Sequence, residues 1–178
     1  DLKLKNQLTI SQNRVRSMAL IHQLLYRSND LSNIDMEEYL LSLSGQLLAS
    51  YSELKDSIKI KVIAKDIWFS IETAVPFGLL INEMISNSLK HGFPDGRTGK
   101  IEITLIQKEI GLFELNYFDN GIGIPLTVIN GHVVSFGMQL IEMLVNQLEG
   151  DTKLLPSDGT NYIINFRGSN YQSRLHNT

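Results

Sequence analysis

The chain has 178 residues, 43% hydrophobic and 20% charged, with 16 basic against 19 acidic residues and a net charge of −3. This balance is ordinary for a globular protein and argues against a sequence-independent nucleic-acid binder, which would carry a basic face. The absence of cysteine excludes disulfides, thiolate metal sites and cysteine nucleophiles, and fits a reducing, cytoplasmic setting. No apolar run of about 18 residues predicts a membrane span in this segment, and no leader pattern opens it. The first residue is Asp, so a fragment is expected, with upstream sequence and a membrane anchor there left open.

Val15, Met18, Ala19, Ile21, His22, Leu25 and Tyr26 recur at three- and four-residue steps, which predicts an amphipathic helix. Asn29-Asp30-Leu31-Ser32 breaks it, and Ser32 or Asn33 is placed to cap a second helix. Met36, Tyr39, Leu40, Leu43, Leu47 and Tyr51 form the stripe of that second helix, so residues 1–54 read as a helical hairpin. Such a hairpin needs a partner for its apolar faces, either the domain behind it or a second copy.

From about residue 58 the period changes. Ile58, Ile60 and Val62 alternate with lysines as in a half-buried strand, and Ile67–Ile71 reads as the next strand. Pro76 fits the first turn of a long helix reaching about His91, where Gly92-Phe93-Pro94-Asp95-Gly96 ends it. Residues 100–107 and 112–118 predict strands joined at Glu109-Ile110-Gly111. Residues 119–135 are loop-like and glycine-rich, and 136–149 predict a helix ending at Gly150. A closing hairpin comes next at 151–155 and 161–166, then a polar, frayed end. The expected division is a hairpin at 1–54, a second domain at 55–167 and a flexible tail at 168–178. The element order predicts an α+β fold, a two-layer α/β sandwich with a mixed sheet, preceded by the hairpin. No serial βαβ winding is present, which argues against a Rossmann fold.

Four short blocks carry chemistry. On the helix, Glu83, Asn87 and Lys90 share one face, beside Asn82 and His91. A carboxylate next to an amide oxygen suits a hydrated magnesium ion, and Lys90 and His91 reach toward phosphate oxygens. A solvated polar face is the plain alternative, with Leu79, Leu80, Met84, Ile85 and Leu89 packing on the sheet. Asp119-Asn120-Gly121-Ile122-Gly123 comes directly after a strand, so Asp119 is placed to accept a hydrogen bond from an exocyclic amine. Gly121 and Gly123 allow close backbone approach. An ordinary turn is the alternative there, and a calcium loop lacks its downstream acid. Ser135-Phe136-Gly137-Met138 opens a helix whose amides can seat a phosphate or form a simple capped start. Asp158-Gly159-Thr160 is a hairpin turn or, through Thr160, the back of a base pocket.

In this order the blocks resemble the four nucleotide-binding boxes of the ATP-binding superfamily shared by gyrase, MutL and the histidine kinases. The stretch Pro76–Pro94 is similar to the two-component sensor kinase subfamily with Asn-Glu in its first box, and Ser11–His22 resembles that subfamily's second dimerisation helix. The resemblance covers residues 11–166 and implies the Bergerat-type ATP-binding fold, with ATP and Mg2+ as cofactors. It implies that Asn87 ligates magnesium, that Glu83 acts through a metal-bound water and orients or deprotonates the attacking group, and that Lys90 contacts phosphate. His91 is then near sugar or phosphates, Asp119 binds the adenine amine, and Gly121 and Gly123 line the base pocket. Ser135, Phe136, Gly137 and Met138 lie under the phosphates, Thr160 backs the adenine, and residues 124–135 form a mobile lid.

The resemblance further implies a homodimer through the helical region and a response regulator receiver domain as partner, with no nucleic acid and no membrane contact from this segment. The family's phosphoacceptor histidine is not found. Leu4-Lys5-Asn6-Gln7-Leu8 echoes only the end of the helix that carries it, so residues 1–54 read as a truncated dimerisation and phosphotransfer region. His22 falls in the apolar stripe and reads as a packing histidine, and His132 and His176 receive no role. The expected function is histidine phosphorylation from ATP. The alternative is a degenerate ATP-binding module that docks a partner without transfer. A serine kinase of the anti-sigma type is disfavoured by the hairpin.

Overall fold

The computed structural model describes residues 2–27, 33–51, 54, 56–125 and 136–169. Helix α1 (Leu2–Arg27) is followed by β1 (Ile34–Asp35), α2 (Met36–Ser50), β2 (Ile58–Ile63), β3 (Trp68–Phe69) and α3 (Ile71–Asn87). A π-helical turn at Ser88–Gly92 and a short 3-10 turn at Pro94–Gly96 lead to β4 (Gly99–Glu109) and β5 (Leu112–Asp119). Helix α4 (Phe136–Gln147), β6 (Asp151–Leu154) and β7 (Thr160–Arg167) complete the order. The main sheet has five strands in the order β2-β4-β5-β7-β6. The β2–β4 pair is parallel and the other pairs are antiparallel, so the sheet is mixed. Burial alternates strictly along β5 and β7, which leaves one face packed under helices and the other open. This is the expected two-layer α+β sandwich.

Four local expectations are corrected. The strand over Ile67–Ile71 shrinks to Trp68–Phe69, which pairs with β1 outside the main sheet. Ser70 already caps α3, its carbonyl accepting from the amides of Thr73 and Ala74. Pro76 therefore lies in the second turn of α3, where it removes one backbone donor. The helix continues through it because residues from Thr73 to Ser86 are almost continuously buried, and packing outweighs local propensity. The cap of α2 is neither Ser32, outside the described residues, nor Asn33. The Asp35 carboxylate caps it, accepting from the amides of Glu37 and Glu38 at 2.9 and 3.1 Å.

The fourth correction concerns α1. Of the expected apolar stripe, Ile21 faces inward, whereas Val15, Met18, Ala19 and His22 are exposed. The buried side carries Asn13, Ser17, Leu20 and Ile21. The side chains of Leu25 and Tyr26 lie outside the described residues. His22 is thus not a packing histidine.

The hairpin shares one core with the sheet domain. Met36, Tyr39, Leu40, Leu43 and Leu47 of α2 bury against α3 as the sequence stripe predicts. Gly78 makes the closest approach possible: a Cβ there would lie 1.9 Å from the Tyr39 hydroxyl. That hydroxyl, kept protonated by burial, donates to the Ser17 carbonyl of α1 at 3.4 Å, so one side chain joins three helices. Between α3 and the strands, Phe69, Phe77, Phe113 and Phe166 pack edge-to-face and stacked, with centroids 4.8–6.0 Å apart. Ser169 is tied to the start of α3 by bonds with Ser70 and Thr73. Gly78→Ala is expected to destabilise the fold by about 1–3 kcal/mol, the usual cost of overpacking a closed contact, measured by urea denaturation.

Candidate functional site

A cavity of about 380 Å³ opens where the end of α3, the end of β5, the start of α4 and the start of β7 meet. Its size is that of a small-molecule site. Met84, Ile122, Ile124, Met138 and Ile141 form apolar walls, while Tyr117 and Tyr162 reach it from the sheet. Asn87, Ser88, His91 and Thr160 supply the polar edge.

The period of β5 places the acid. Phe113, Leu115 and Tyr117 face the core, and two residues later so does Asp119, with no solvent exposure. A buried carboxylate needs donors, and three converge on it. Asp119 Oδ1 accepts from the amides of Gly121 at 2.9 Å and Thr160 at 3.2 Å. Oδ2 accepts from the Ser88 hydroxyl at 2.5 Å. Ser88 Oγ also lies 2.8 Å from the Tyr117 hydroxyl. Because the Ser88 hydroxyl donates to Asp119, its oxygen accepts the hydrogen bond from the Tyr117 hydroxyl, whose pKa burial raises well above the ordinary value. The polarity therefore runs Tyr117 to Ser88 to Asp119. An ionised carboxylate has about four acceptor sites, so one stays available.

Ser88 opens the π-helical turn, a local widening that recurs at functional sites. The turn points Ser88 and Leu89 inward and sets His91 at the cavity wall. Lys90 is exposed and does not line the cavity, because the α-helical period that grouped it with Glu83 and Asn87 stops at Asn87. Partial burial, with the neighbouring Lys90 charge, lowers the pKa of His91.

Two glycines in this region are bare because backbone is close. A Cβ on Gly121 would stand 2.6 Å from the Gly92 carbonyl, and one on Gly159 would overlap the Asp119 carbonyl at 1.9 Å. Gly123 lines the cavity with a positive φ of 76°.

The other end of the site gathers around Glu83, which is 3% exposed. Arg14 of α1 grips it with both oxygens, Nε to Oε1 at 2.6 Å and Nη2 to Oε2 at 2.7 Å. Asn82 Nδ2 donates to the same Oε1 at 3.2 Å. The Glu83 bond holds the Arg14 pKa above its usual value against the opposing effect of burial. At the start of α4, the Cβ that Gly137 lacks would lie 3.3 Å from Asn87 Oδ1 and 3.5 Å from Glu83 Oε2. Those two oxygens thus face a common point. Phe136 is 67% exposed, outside the cavity lining, with the Arg14 guanidinium 5.3 Å above its ring. Ser135, and the lid beyond Pro125, lie outside the described residues.

A family model described as histidine kinase matches residues 1–51. Over that segment the chain is similar to the histidine kinases. A relative named blue-light-activated histidine kinase 2, from Erythrobacter litoralis, is 26% identical over 153 residues, 80% of this chain and 43% of that protein. The chain thus spans less than half the length of that relative. The solved histidine kinase domain of the Erythrobacter litoralis EL346 blue-light-activated kinase superposes with a TM-score of 0.76 at 21% identity, covering 92% of this chain and 81% of that one. The ATP-binding domain of PrrB from Mycobacterium tuberculosis gives 0.54 at 18%, covering 78% and 97%. At these identities the likeness to solved structures is one of fold.

Within this kinase fold, the structure brings Asn87, His91, Gly123, Met138 and Thr160 to one cavity, with Asp119 and Gly121 directly behind it. Sequence reasoning missed Ser88 and Arg14. The four-residue steps Met84–Ser88 and Asn87–His91 would have found Ser88, since both pairs line the cavity. No local signal marks Arg14, which lies 69 residues from Glu83. Ser88→Ala removes the hydroxyl shared by Tyr117 and Asp119 and leaves both buried groups short of a partner. It is expected to cost about 1–3 kcal/mol in chemical denaturation.

Proposed function

We propose that this chain is the ATP-binding catalytic region of a sensor histidine kinase. It moves the γ-phosphoryl group of ATP to a histidine, from which the receiver domain of a response regulator takes it. The observation that carries this reading is the Asp119 carboxylate, buried behind an apolar-walled cavity whose wall includes Asn87, with Gly137 beside both Asn87 and Glu83. A flat base fits between Met84, Ile122, Met138 and Ile141, and its exocyclic amine is read by the remaining acceptor capacity of Asp119 beside Ser88 and Thr160.

Magnesium fits the Glu83 end of the site. Among the described residues no group of three or more His, Cys, Asp or Glu gathers to hold a metal, and magnesium needs only one or two protein ligands because it keeps its waters. Asn87 is the direct ligand and Glu83 acts through a water. Bound there, the ion supplies charge neutralisation to phosphate oxygens. Gly137 and the first amides of α4 seat the phosphates, with Met138 flanking them, and His91 adds a donor at the cavity wall. Glu83 orients the accepting imidazole and takes its proton. Positioning and electrostatics supply most of the acceleration in phosphoryl transfer.

Asp119→Asn places an N–H where the amine of the base must donate. It is expected to weaken ATP binding by about tenfold to a hundredfold in titration calorimetry, and unchanged affinity would remove Asp119 from the base pocket. In the full-length protein, Glu83→Gln is expected to abolish formation of acid-labile phosphohistidine while leaving ATP bound. Output that survives this change would favour the docking module without transfer. The exposed α1 face of Val15, Met18 and Ala19 is the surface on which a homodimer would close. Val15→Glu with Met18→Glu is expected to convert that dimer to monomer in sedimentation equilibrium.

A further inference from the structure

Helix α1 turns a polar side to the protein. Asn13 and Ser17 are 3% and 1% exposed, and Arg14 beside them reaches Glu83, while Val15 stands 66% exposed. A buried ion pair returns no more stability than apolar side chains of the same volume, so stability alone does not explain this orientation. What the pair supplies is geometry. The planar guanidinium fork fixes both oxygens of one carboxylate, which a lysine cannot do. The same guanidinium faces Phe136, and the next residue, Gly137, sits against Glu83 and Asn87. One side chain of α1 therefore touches the carboxylate of α3 and the first residue of α4. Helix α1 is itself tied to α2, through Asn13 to Ser50 at 3.3 Å and through Tyr39 to Ser17.

We propose that Arg14 is a positioning residue for phosphoryl transfer. From α1 it holds the Glu83 carboxylate in one orientation, and through Phe136 it holds the start of α4 over the Glu83–Asn87 pair. A shift of α1 relative to α3 then loosens both halves of the phosphate end together. The inference rests on the role proposed above for Glu83.

The test uses Arg14→Gln and Arg14→Lys in the full-length protein. With magnesium and ATP, both variants are expected to lower kcat for histidine phosphorylation by about tenfold to a hundredfold, the usual effect of a misplaced group. KM for ATP is expected to stay within about twofold, since ground-state binding is untouched. In nucleotide-free protein, amide hydrogen exchange at residues 136–140 is expected to quicken about tenfold in Arg14→Gln, with β4 and β5 unchanged. The proposal is overturned if Arg14→Lys keeps wild-type kcat, if KM rises while kcat holds, or if exchange at 136–140 does not change. Should Arg14→Gln fail to fold, Arg14→Met keeps the packing of the stem and takes its place. If the wild-type protein binds no ATP, the proposed function falls, while the exchange experiment still decides whether Arg14 holds the start of α4.

Discussion

A carboxylate with no access to water constrains everything around it. Asp119 is carried into the core by the two-residue period of β5, and its burial is tolerable only because donors arrive from three directions. The Thr160 amide requires β7 to start opposite the end of β5, the register observed between them. The Gly121 amide requires the chain to turn immediately after the strand. The Ser88 hydroxyl requires the end of α3 to widen into a π turn. Strand register, turn and helix distortion are thus set by one acid, and the cavity is the space that remains once those elements have been drawn together.

The strength of this constraint explains what was legible in the sequence. The strands β4, β5 and β7 alternate between a buried and a half-open face, so their period is visible residue by residue. The stripe of α2 is equally plain, because its buried side is wholly apolar apart from Ser44. Asp119, Gly123 and Thr160 could be read as a group because each sits at the junction of a strand with a glycine-bearing turn. Where the reading failed, a tertiary contact had overridden a local rule. Pro76 reads as a first-turn residue until the burial of the whole of α3 is known. Lys90 belongs to the face of Glu83 and Asn87 only in an uninterrupted α-helix, and Ser88 interrupts it to reach Asp119.

Helix α1 gives the sharpest case. Hydrophobic periodicity marks an apolar face on α1 and leaves open whether its own domain or a second copy covers it; the structure exposes Val15 and Met18 and buries Asn13 and Ser17. The decisive partner, Glu83, is remote in sequence and itself buried on α3, so leaving it without Arg14 would strand a charge in the core. An apolar stripe shows that a helix has two faces. It does not show which one meets its own domain and which is left for another surface.

The two ends of the site are consequently built by different means. The Asp119 end is held by backbone amides and strand register, interactions that open only when the sheet itself opens. The Glu83 end is assembled from side chains on three separate helices, with an ion pair and a ring contact as its ties. Helices packed through side chains can shift by small translations without unfolding, whereas ladder registers move only in whole steps. The Glu83 end is therefore the soft element of the site, able to follow a small shift of α1, and the Asp119 end is the stiff one.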